Sequence, residues 1–146
     1  MFLSFLVVLA SIGFGFLLGR IASEEVAAAR SYLKYASLVM GLLSIVTLFS
    51  LLIFSGWPLF SLCLFLLLGS VYYYLSHYWP QQKEEIALIH LFTFVVLLGA
   101  LMFVQFQGTE FMLLSDDLFL VGQSLLFIYG LFIGLLLYGR RLDDNA

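Results

Sequence analysis

Two histidines, His77 and His90, are the residues of this chain whose type best suits chemistry. An imidazole pair can ligate a metal or haem iron. Thr93 shares a helical face with His90, Glu84 and Glu85 precede it, and Gln123 places a side-chain amide in a later apolar run. The two histidines belong to consecutive helical segments joined through Pro80. If the second of these begins near Gln82, the rings differ in depth by about 10 Å, too far apart to share one metal or haem. Each histidine therefore reads first as a buried side chain bonded to a hydroxyl or a carbonyl. Glu84 and Glu85 open a helix, where carboxylates complement the backbone dipole, so their structural role is sufficient. Gln123 can serve interhelical bonding as readily as a substrate.

Other chemistry lacks its residues. Cys63 is the one cysteine, set in an apolar run, so there is neither a disulfide framework nor a CxxC pair, and it reads as a packing residue. No Ser/His/Asp set, Gly-rich phosphate loop or HExxH helix is present. No cofactor is called for, and the balance lies against an enzyme. A formal net charge of −3 with cations scattered among connections makes nucleic acid an unsuitable partner.

The elements that must position these residues are membrane helices. The chain is 64% hydrophobic and 10% charged, with a mean hydropathy of +1.13, whereas a soluble domain carries about 25% charged residues. Uncharged stretches run from Met1 to Gly19, Tyr35 to Gln82, Ile86 to Thr109 and Leu118 to Gly139. The second is too long for one crossing of about 20 residues. Gly56, Trp57 and Pro58 divide it with a helix stop, an interfacial ring and a helix start. Pro80 ends the next segment after Tyr72, Tyr73, Tyr74, Tyr78 and Trp79, rings suited to headgroup level. The fold expected is an all-α, polytopic membrane bundle, one transmembrane domain over residues 1–146 with five spans at about 1–19, 36–56, 58–78, 86–107 and 118–138.

Charge then orients the bundle. Arg20, Arg30 and Lys34 follow the first span, Lys83 follows the third, and Arg140 and Arg141 follow the fifth. With five spans these regions share one face, and the positive-inside rule makes it cytoplasmic, with the N-terminus outside and the C-terminus inside. Arg20 directly after the first span, with no basic residue before it, reads as a retained anchor rather than a cleaved signal peptide. Ser23, Glu24 and Glu25 read as an N-cap and acidic first turn. They predict a cytoplasmic helical extension over 24–35 that runs unbroken into the second span as far as Ser55, about 48 Å of helix, a third of it protruding. Arg30 and Lys34 on one face of it read as a snorkelling collar ahead of a partner or anionic-lipid contact. The outer connection from Gly108 to Asp117 carries Glu110, Asp116 and Asp117 and reads as a solvated acidic loop.

No charged residue falls within a span, so small and weakly polar residues mark the packing faces. The first helix aligns Ser4, Ser11 and Gly15, with Gly15 and Gly19 as a GxxxG pair; the second aligns Ser37, Gly41, Ser44 and Ser55. The third aligns Cys63, Ser70, Tyr74 and His77, and the fifth aligns Gln123, Gly130 and Gly134, again GxxxG. Such stripes let backbones approach where lipid gives helices no hydrophobic reason to associate. The absence of Asp, Glu, Lys and Arg from every span argues against a driven transporter.

Three functions remain, in order. The first is a non-catalytic accessory or assembly subunit of a membrane complex, partnered by another membrane protein or by its own copies. The second is a small homo-oligomeric channel lined by the serine face of the second helix and by Gln123. The third is a membrane enzyme or haem carrier using the two histidines. Compact connections point to a prokaryotic plasma membrane as the host.

Overall fold

The computed structural model describes residues 2–54, 58–78, 85–106 and 115–144. Among them every residue except Ala22 and Ala29 is helical, and no strand occurs. The helices are α1 (Phe2–Ile21), α2 (Ser23–Ala28), α3 (Arg30–Phe54), α4 (Pro58–Tyr78), α5 (Glu85–Phe106) and α6 (Ser115–Asp144). Apolar runs of this length take helical form because a helix satisfies its own N–H and C=O groups where no water can. Three segments are long and apolar enough to cross a bilayer: Arg30–Ile53, Ala87–Phe106 and Asp117–Leu142. The apolar stretches of α1 and α4, Phe5–Ile21 and Leu59–Val71, are shorter.

The hub is α6. Its 30 residues span about 45 Å, and it packs against α1, α3 and α5, while α4 lies on α3 with a lesser seam to α5. Facing residues give the directions. Ser11 meets Gly130, Gly15 meets Gly134 and Gly19 meets Tyr138. Both numbers rise together, so α1 and α6 run parallel. Leu51 and Leu101 both stand beside Gly122, while Arg30 reaches Gly139 and His90 reaches Tyr129. Hence α3 and α5 run antiparallel to α6. The core between them holds Leu48, Leu52, Phe94, Leu97, Leu126 and Ile133. On α4's side, Ser61 Oγ donates to the Phe49 carbonyl at 3.1 Å, and the Phe60 and Phe103 rings lie 5.6 Å apart.

The connection between α1 and α3 departs from the sequence expectation. The helix predicted to run unbroken from Glu24 is interrupted at Ala29, with φ −91° and ψ 9°. Ser23 is the first residue of α2 rather than its cap; Ala22 holds the cap position, and no side chain bonds there. The reason is attachment at the end of α6. Val26 is buried and stands near Gly139, and the Arg30 guanidinium donates through Nη2 to the Gly139 carbonyl at 2.6 Å. These two contacts hold the connection against the bundle, so it does not stand away as a stalk.

Ser55, Gly56, Trp57, Trp79, Pro80, Lys83, Glu84 and the segment 107–114, with Glu110, lie outside the described residues.

Candidate functional site

The polar centre of the bundle forms where α5 crosses α6. On α5, His90, Thr93 and Phe94 fall three or four residues apart and so share one helical face. On α6 that face meets Tyr129, and all four side chains are fully buried. His90 Nδ1 and Tyr129 Oη are 2.7 Å apart, and the Tyr129 hydroxyl also stands 3.4 Å from the His90 carbonyl oxygen. Two proton arrangements fit this geometry. Tyr129 donates to a bare Nδ1, or Nδ1–H donates to Tyr129 Oη while the phenol proton turns toward the carbonyl. The two rings stand edge to face, 5.7 Å apart at 78°, and the Phe94 ring closes the cluster 6.2 Å from Tyr129.

A third helix reaches this level through Gly130. A Cβ there would fall on Ser11 Oγ and 3.1 Å from Phe94 Cε2. Only a residue without a side chain admits α1 and α5 together. Ser11 is fully buried at the contact and donates its hydroxyl to its own helix, at the Val8 carbonyl 2.5 Å away. The pattern continues along α1 and α6: a Cβ at Gly15 would overlap the Leu131 carbonyl, and one at Gly134 the Ile12 carbonyl. At Gly19 it would lie 2.9 Å from the Tyr138 ring.

The sequence-derived candidates separate here. His90 and Thr93 lie together, although Thr93 Oγ1 donates to Ile89 O at 2.9 Å within its own helix. Gln123 is half-buried and six residues from Tyr129, about 9 Å along α6. His77 belongs to the last turn of α4, and its side chain, like that of Ser4, lies outside the described part. Ser37, Gly41 and Ser44 are buried on α3, with the serine hydroxyls bonded to Leu33 O and Met40 O of the same helix. The α4 stripe points the other way: Cys63, Ser70 and Tyr74 are exposed. Beside it an open groove of about 650 Å³ lies between α4 and α5, lined by Ser70, Val71, Tyr74, Leu88, Ile89 and Phe92.

Tyr129 and Gln105 were missed as candidates. Tyr129 precedes the glycine of a small-residue stripe and sits mid-helix instead of at an interface, a signal that its hydroxyl needs an internal partner. Gln105 is an amide at the end of α5 whose Oε1 is buried with no hydrogen bond among the described residues.

Chemically, the cluster fastens α5 to α6 by a hydrogen bond between an imidazole and a phenol. Among the described residues no three His, Cys, Asp or Glu side chains gather as metal ligands do. No family model, curated protein or solved structure matches this chain.

Proposed function

We propose that the chain is a non-catalytic accessory or assembly subunit of a membrane complex, crossing a prokaryotic plasma membrane five times with its N-terminus outside and its C-terminus in the cytoplasm. The observation that carries the proposal is the exposure of α4. Of its described side chains only Ser61 and Leu68 are buried, while Leu59, Leu66 and Tyr73 stand among the most exposed apolar and aromatic residues of the bundle. The described small residues of the α1 and α3 stripes, and Gly130 and Gly134 of α6, are buried inside the chain. The stripe of α4 looks outward, next to the groove against α5, where a transmembrane helix of another subunit would find small and hydroxyl-bearing residues to pack on.

The five-span arrangement is supported by direction. Parallel α1 and α6, with α3 and α5 antiparallel to both, are what an odd number of crossings would give. Their Gly15–Gly19 and Gly130–Gly134 pairs serve as the close-packing seam. The channel alternative is weakened because its serine face, at Ser37 and Ser44, is turned into the chain, and the haem alternative because His90 Nδ1 already engages Tyr129.

The test is native mass spectrometry of the protein extracted from its own membrane in mild detergent. Different polypeptides at fixed stoichiometry are the expected result. A lone monomer that recovers no partner from native membranes overturns the proposal, and a closed ring of identical copies transfers it to the channel.

A further inference from the structure

We draw no further inference here: the strongest candidate, the open groove between α4 and α5 lined by Ser70, Val71, Tyr74, Leu88, Ile89 and Phe92, belongs to the outward surface of α4 already described, and nothing in the structure shows what covers it.

Discussion

His90 on α5 and Tyr129 on α6, 39 residues apart in sequence, meet at 2.7 Å with both side chains fully buried. In a lipid environment neither the imidazole nor the phenol can exchange this bond for one to water, so each depends on the other to hold its helix in register. Tyr129→Phe keeps the ring and its contacts with Phe94 and removes only the hydroxyl. It should lower stability by roughly 1–2 kcal/mol. The measurement is thermal unfolding in detergent, with His90→Phe and the double variant completing a cycle. If the two single changes simply add, the hydrogen bond contributes nothing and the cluster is held by ring packing alone.

Glycines in one chain should respond in opposite ways to alanine. At Gly130 the new methyl would meet Ser11 Oγ and Phe94, whereas at Gly13 nothing lies within 4 Å. Gly130→Ala should therefore destabilise by roughly 1–3 kcal/mol through forced separation of α1 and α6. Gly13→Ala should be neutral, or stabilising by up to about 1 kcal/mol from the lower backbone entropy of the unfolded chain. Adding Ser11→Gly to Gly130→Ala should restore much of the loss, because the obstructing hydroxyl is gone. Melting temperatures of the four proteins decide the matter, and an equal loss at Gly13 would show that local helix effects rather than close approach are being measured.

These residues also show how far the sequence reaches. Helical form follows from uncharged runs that leave the backbone no other way to satisfy its polar groups, and it was legible throughout. Ser11, Gly15, Gly130 and Gly134 could be aligned on their own helices from periodicity. That α1 and α6 are the pair they join could not, because a stripe names a face and not the helix opposite. For the same reason Tyr129 was hidden: His90 called for a hydroxyl or a carbonyl, and each of the other spans offers more than one hydroxyl. The α4 stripe was read as a packing face like the others, but Cys63, Ser70 and Tyr74 face outward, a difference set by how much of the chain the hub can cover. The break at Ala29 was illegible because nothing local demands it. An Ala-rich segment between Glu24 and Arg30 is a good helix, and the interruption comes from Val26 and Arg30 attaching to a position more than a hundred residues later.

That attachment is itself open to test. The Arg30 bond to the Gly139 carbonyl, 2.6 Å long, fastens the start of α3 to the end of α6 and with it the six residues of α2. Arg30→Gln keeps a polar side chain but removes the charge and the reach. It should cost about 1 kcal/mol of global stability for a partly exposed charged bond. The sharper effect should be local, since α2 buries only Val26 besides this anchor. Limited proteolysis should show faster cleavage between Ser23 and Ala29 in the variant. Unchanged cleavage would mean that Val26 alone holds the link.

Orientation gives the last prediction, and the parallel pair makes it stringent. Arg20 at the end of α1 and Arg141 at the end of α6 lie at the same end of the bundle, so the two chain positions must read the same side whichever way the protein inserts. All six Lys and Arg residues fall on that side if five helices cross, which places it in the cytoplasm. In a Cys63→Ser background, a cysteine at Glu25 should resist a membrane-impermeant thiol reagent in intact cells and react after permeabilisation. A reporter fused after Ala146 should likewise read cytoplasmic. Both positions reading outside would invert the topology and leave the bundle intact. A split result, one inside and one outside, would be the more damaging outcome, because parallel helices whose ends lie together cannot finish on opposite faces of one membrane.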